Sequence, residues 1–333
     1  MSEPITARQF WIRTPGTGEI RHADLIPRRD DEVLVRASYS GVSRGTEALV
    51  FRGEVPPSQY KVMRAPFQEG EFPGPVKYGY CSVGEVLEGP ENLVGSMVFC
   101  LYPHQDFYTV PARSVSRLPK GLPAERAVLA ANMETALNVF WDARPMAGDR
   151  ILVVGAGVIG LLVGWLCRQI PGSDVTLVDI NKSRKPVAHR LGLSCLTEPP
   201  GGHDADLVIH ASGEPGGLRD ALNAAGIEAT VVEVSWYGSR SVLLPLGEAF
   251  HSRRLTLRSS QVGRLCPDRL PRWTHDRRMK LALDLLRNSC FDALINSESD
   301  FQALPELMVR MSNEPGDILC HRIRYGRPEG ALL

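Results

Sequence analysis

An α/β chain of two domains is predicted, with a doubly wound parallel sheet through the middle and a β-rich part to which the C-terminal tail returns. Three observations predict it. At 333 residues the chain is longer than one hydrophobic core usually grows. From residue 149 to about 235, apolar strand-like runs alternate with helix-like runs, the pattern of parallel strands covered on both faces. On both sides of that stretch the texture differs: short alternating runs separated by glycine and proline come before it, and mixed segments follow.

The elements follow in order. Glu32-Val33-Leu34-Val35-Arg36-Ala37 alternates apolar and polar residues, as a half-buried strand does. Residues 80–87 and 95–102 read as further strands. Between them and the first, residues 51–79 hold too many prolines and glycines for regular structure and read as a long ordered loop. Residues 124–141 have helical apolar spacing. The central run is then strand ILVVGAG, helix LLVGWLCRQI, strand DVTLVDI, a helix over 184–191, strand DLVIHAS, a helix over 218–225 and strand ATVVEVS. Helices over 277–287 and 304–312 and a closing strand CHRIRY complete the tail. These runs place the domain boundaries at residues 1–122 with 256–333, and at 123–255.

Composition narrows the classes. With 43% apolar and 23% charged residues the balance is that of a globular protein. Lys+Arg and Asp+Glu are 38 each, so no net charge speaks for a nucleic-acid or anionic-membrane partner; the expected partner is a small molecule. Seven cysteines without a CxxC pair argue against a disulfide framework and for a reducing, cytoplasmic setting. The apolar run 151–167 is punctuated by Gly155, Gly157, Gly160 and Gly164, which speaks against a membrane span.

Those glycines carry the first chemistry. Gly155-Ala156-Gly157-Val158-Ile159-Gly160 is a GxGxxG turn between an apolar strand and an apolar helix, and Asp179 ends the next strand. In this setting Gly155 permits the tight turn, Gly157 lets the backbone approach a pyrophosphate, and Gly160 lets helix and strand close up. The helix start, at Val158 and Ile159, offers free N–H groups to the phosphates. Asp179 is placed to accept the adenosine ribose hydroxyls and to repel a 2′-phosphate, favouring NAD(H). Lys182 and Arg184 keep NADP(H) possible, Arg184 being the better placed of the two.

Over nearly its whole length the chain resembles the medium-chain dehydrogenase/reductase superfamily. The carriers are the glycine motif, VLVRASYSGVSRGTE, KYGYCSVGEVLEG and GSMVFCLYPHQDFYTVPA. The last three look like the GroES-like catalytic domain of zinc alcohol dehydrogenases, so a GroES-like domain plus a Rossmann domain is implied. Dimers or tetramers assembled through the nucleotide domain are implied as well. Within the superfamily, SRGTE, the long Pro/Gly loop and GY in place of GH look most like the bacteriochlorophyllide a dehydrogenase branch. The departures are specific. Where zinc members carry a cysteine this chain has Ser43; where they carry Gly-His-Glu it reads Gly79-Tyr80-Cys81; a third ligand position falls on Ala131. No four-cysteine structural lobe is present. The expectation is a zinc-free branch, since Ser, Tyr and Ala do not make a catalytic zinc site. Cys81, Cys100 and His104 have no spacing that replaces it.

Without a metal, hydrogen-bond donors and an acid/base group must polarise the substrate oxygen and exchange its proton. Tyr80, at the lost histidine position, either supplies that hydroxyl or fills the metal's volume. Ser43 and Thr46 are placed to orient or relay the proton, with space-filling as the alternative for Ser43. Glu47 and Glu134 are possible bases or structural partners of nearby donors. His104 titrates near neutrality and is the histidine of the catalytic segments. Arg44 follows the former ligand position, where relatives often carry a basic residue on the pyrophosphate. Tyr102 falls in a substrate-pocket position, and Trp236 and Tyr237, after the last central strand, wall the nicotinamide or the substrate or pack at the domain seam. The expected function is hydride transfer between nicotinamide and a secondary alcohol or ketone. A zinc-free enoyl or quinone reductase and a non-catalytic dinucleotide sensor are the alternatives.

Overall fold

The computed structural model describes residues 5–202, 204–314 and 316–326. The chain opens with a hairpin, β1 (Thr6–Thr14) and β2 (Thr17–Asp24), followed by the long strand β3 (Glu32–Ser43) and the short helix α1 (Thr46–Phe51). The loop 51–79 is less irregular than its composition suggests. It holds two two-residue strands, β4 (Glu69–Gly70) and β5 (Val76–Lys77), and β5 pairs with β1. Next come β6 (Ser82–Glu88), β7 (Met97–Cys100), β8 (Phe107–Pro111) and β9 (Val115–Arg117). Two helices, α2 (Ala124–Ala127) and α3 (Ala130–Ala143), lead out of this region.

The central stretch is β10 (Arg150–Val154), α4 (Val158–Arg168), β11 (Asp174–Val178), α5 (Arg184–Arg190), β12 (Ser194–Leu196), β13 (Ala205–His210), α6 (Pro215–Ala224) and β14 (Ala225–Glu233). It is followed by α7 (Ala249–Ser252), β15 (Thr256–Ser259) and α8 (His275–Leu285). The tail is β16 (Ile295–Asp300), α9 (Leu304–Asn313) and β17 (Cys320–Arg324).

Two compact units result: residues up to 131 with those from 283, and residues 132–282. The sequence reading drew these lines at 122/123 and 255/256. The structure carries β15 and most of α8 in the central unit, because β15 extends its sheet beside β14.

The central unit is a six-stranded sheet in the order β12-β11-β10-β13-β14-β15, every pair parallel. Its strands are apolar on both faces for the reason the sequence implies. Ile151, Leu152, Val153, Val208, Ile209, Val231 and Val232 are all fully buried. Helix α6 lays Leu218, Ala221 and Leu222 onto one face, in a cluster with Leu152, Val208 and Val231. Because the strands are parallel, β10, β11, β13 and β14 present their C-terminal ends on one edge, where open α/β sheets bind ligands.

The other unit is mostly antiparallel. A seven-stranded sheet runs β16-β17-β3-β6-β7-β9, with β8 also on β3, and a four-stranded sheet runs β2-β1-β5-β4. Strand β17 pairs residues Cys320–Arg324 with 43–39 of β3, so the tail does return to the first part of the chain. Among the described residues no helix is long and apolar enough to cross a membrane.

Candidate active site

In the central unit the turn after β10 has the geometry a dinucleotide needs. Gly155 sits at φ +104°, and a Cβ there would stand 2.6 Å from the Ser212 amide, so only glycine takes this turn. A Cβ on Gly160 would meet the Gly155 carbonyl oxygen at 1.8 Å, which is the close helix–strand approach expected of the third glycine. Gly157 is different: a side chain there would touch nothing within 4 Å, so its backbone lies open to a ligand. It precedes α4, whose first residues Val158 and Ile159 present first-turn N–H groups without intrahelical partners. Asp179 follows β11 and is held at the same turn, Oδ2 accepting the Ala156 N–H and Oδ1 the Asn181 N–H, each at 2.8 Å. These residues fit a bound dinucleotide. Arg184 is buried in the first turn of α5, while Lys182 is exposed.

In the other unit, Ser43 ends β3 and Thr46 starts α1, both half-buried. The first turn of α1 points Glu47 inward, where it is 2% exposed. One carboxylate oxygen accepts the Ser43 N–H at 2.7 Å, and the other lies 2.7 Å from His104 Nε2. On the far side of the ring, Nδ1 is 2.7 Å from Ser40 Oγ, which is 2.9 Å from the Tyr325 hydroxyl. The Tyr325 hydroxyl also takes a hydrogen bond from the Gln105 backbone. A backbone N–H can only donate. With Glu47 ionised, the chain is satisfied when Tyr325 donates to Ser40, Ser40 to His104 Nδ1, and Nε2–H to Glu47. His104 then donates through Nε2–H to a buried carboxylate.

Tyr80, half-buried, lies beside the Ser43 side chain. Burial, then the neighbouring Tyr78 and Glu47, push its phenol well above the usual value, with Ser43 opposing. Cys81 is pushed up in the same way. Both keep their protons at neutral pH, so Tyr80 is a hydroxyl donor. Among the described residues, no three His, Cys, Asp or Glu side chains gather into a metal-holding group. The positions that carry ligands in zinc dehydrogenases hold a serine, a tyrosine and the buried Ala131, a donor set that does not fit catalytic zinc.

The remaining expected site residues are placed as follows. Tyr102 is buried and stacked on Tyr108, centroids 3.9 Å apart, with Lys77 Nζ 5.3 Å from its ring centre. Arg44 is half-buried and donates to the Ile318 carbonyl at 3.3 Å. Trp236 and Tyr237 are half-buried, and the Tyr237 hydroxyl donates to Glu233 at 3.0 Å. Glu134 is paired with the buried Arg278 at 3.1 Å, a structural engagement. The sequence reading missed Ser40 and Tyr325, the far end of the His104 chain. It also missed His210 and Glu233, the last residues of β13 and β14. Their signal was present: two titratable residues at the ends of consecutive apolar strands.

No protein-family model matches the chain. It is 23% identical over 313 residues to D-guloside 3-dehydrogenase of Escherichia coli (strain K12), covering 86% of this chain and 87% of that protein. Among solved structures, L-idonate 5-dehydrogenase of Escherichia coli superposes with a TM-score of 0.78 at 14% identity, covering 96% of this chain and 98% of the other. An alcohol dehydrogenase of Escherichia coli CFT073 complexed with NADH gives 0.75 at 17%, covering 96% and 99%. The fold is a GroES-like domain joined to a Rossmann domain. That fold, with the glycine turn at its first helix, is the one the chain shares with these dehydrogenases.

Proposed function

We propose that this protein is a zinc-independent, NAD(H)-preferring oxidoreductase that interconverts a secondary alcohol and its ketone. The observation that carries the reading is the replacement set in the first unit: Ser43 and Tyr80 at former ligand positions, backed by the buried Glu47–His104 pair. Bound NAD(H) supplies the hydride acceptor or donor. The chain's residues do the rest. The open backbone at Gly157 and the first-turn amides of α4 hold the pyrophosphate, and the Asp179 carboxylate orients the adenosine ribose and disfavours a 2′-phosphate.

Tyr80 keeps its proton and donates to the substrate oxygen, stabilising the charge that develops there. In the oxidative direction Glu47 receives the alcohol proton, with Ser43 beside the path. His104 holds that carboxylate in place, oriented by Ser40 and Tyr325. Thr46 and Arg44 flank the same turn, and Tyr102 is assigned to the substrate pocket; in the central unit, Trp236 and Tyr237 are assigned to the nicotinamide or substrate. The name of the guloside relative supports an alcohol substrate, and a homodimer or homotetramer accompanies the reading.

The test is a panel of alcohols, ketones and enones followed at the nicotinamide absorbance, with elemental analysis of the same sample. Turnover of a secondary alcohol or ketone by zinc-free protein, better with NADH than with NADPH, is the expected result. Stoichiometric zinc, or activity confined to enones, overturns it.

A further inference from the structure

A second constellation lies in the central unit and shares only Tyr237 with the scheme above. His210 and Glu233 are register partners at the C-terminal ends of β13 and β14. His210 is completely buried, and its Nδ1 lies 2.8 Å from Glu233 Oε2. The carboxylate is fixed by two further donors, the Ser235 N–H at 2.6 Å and the Tyr237 hydroxyl at 3.0 Å. On the other side of the ring, His210 Nε2 stands 2.6 Å from Ser212 Oγ, and Ser212 is exposed. The bond directions follow. Glu233 can only accept, so Nδ1 carries the ring proton and Nε2 is left to accept from the serine hydroxyl.

That is the arrangement of an acyl-transfer triad, which is recognised by geometry and roles rather than by sequence position. Two further features favour it. A Cβ on Gly217 would stand 2.4 Å from Ser212 Oγ and 2.9 Å from His210 Nε2, so glycine there leaves the space in which serine and imidazole meet. Gly217, beside the serine oxygen, lies in the first turn of α6, where backbone amides have no intrahelical partners. Ser212 also accepts the Glu214 N–H at 3.2 Å, which fixes its oxygen without using its proton.

We propose that Ser212, His210 and Glu233 form a hydrolytic site for small, unhindered carboxylic esters. Ser212 Oγ adds to the ester carbonyl carbon while its proton passes to His210 Nε2, and Glu233 holds the resulting imidazolium through Nδ1–H. The carbon–oxygen bond to the alcohol breaks, and the departing alcohol takes the proton from Nε2. Water, giving its proton to the same nitrogen, then releases the carboxylic acid and restores the serine. No oxidant or metal enters the balance.

The site is tested on the cofactor-free full chain with a fluorophosphonate probe and with p-nitrophenyl acetate. The expected result is a covalent adduct on the peptide carrying Ser212, with ester turnover; Ser212→Ala, an exposed change, abolishes both. Glu233→Gln and His210→Gln, each checked for an intact unfolding transition, slow labelling about 10²- to 10⁴-fold. Failure of Ser212 to label in folded wild-type protein overturns the proposal. So does equal labelling in a folded Glu233→Gln variant. Neither readout depends on alcohol or ketone turnover, so this site and the dehydrogenase reading stand or fall separately.

Discussion

In the proposed scheme Tyr80 donates one hydrogen bond to the reacting oxygen. Tyr80→Phe keeps the ring and its edge-on contact with Tyr78, centroids 6.0 Å apart. Turnover should fall by about 10²-fold, as when one oxyanion donor is removed, while NADH affinity measured by calorimetry stays unchanged. Equal turnover would take Tyr80 out of the chemistry. Asp179→Asn removes the charge at the ribose and should narrow the preference for NADH over NADPH; an unmoved ratio of dissociation constants would refute its role. His321 supplies a pH test of stability rather than activity. It is buried between the Ser297 and Ser299 hydroxyls, at 2.7 and 2.9 Å. Burial first, and then the Arg310 charge, hold it down to about 4, Glu298 opposing. The folded state therefore resists protonation where the unfolded chain does not. Its contribution is present above pH ~6.5 and is lost as pH falls towards 4. His321→Gln should flatten the melting temperature over that window relative to wild type; parallel curves would contradict the assignment.

Elements translate these residues into rigidity. The turn between β10 and α4 tolerates no side chain at Gly160, so Gly160→Ala should abolish NADH binding while leaving the other unit's sheets intact by hydrogen exchange. Arg278 in α8 is 1% exposed and reaches Glu134, Asn138 and the Val262 carbonyl at 3.1, 2.6 and 2.7 Å. Arg278→Ala leaves Glu134 buried and unpaired and should destabilise by about 3–5 kcal/mol in denaturant unfolding; Arg278→Ala combined with Glu134→Gln should recover part of that. The four inner strands of the central sheet, β10, β11, β13 and β14, were legible in sequence because buried parallel strands must be apolar throughout, and glycines must punctuate the turn. The edge strands β12 and β15 and the β1–β2 hairpin were not. TARQFWIRT and TGEIRHAD mix charges into a sheet whose second strand is only half-buried, which blurs the period-2 signal. In the site, the motif residues were readable one at a time. The pairing of Glu47 with His104, and of His104 with Ser40, was not, because these contacts join residues 57 and 64 positions apart.

For the whole molecule, the two units differ in how far their strands lie apart along the chain. The central unit's six strands all come from residues 150–259. The other unit needs β17 against β3, a pairing of residue 320 with residue 43, and the Ser40–Tyr325 bond spans 285 positions. On a ribosome moving from N- to C-terminus, the interior segment can therefore become protease-resistant while the earlier one still waits for its partner strand. The order of maturation should run from the middle outward. Limited proteolysis of stalled nascent chains would show it as protection of residues 132–282 before residues 5–131. The Tyr325 hydroxyl that orders His104 is made after the whole of the central unit, so the His104 chain is completed only after the glycine turn.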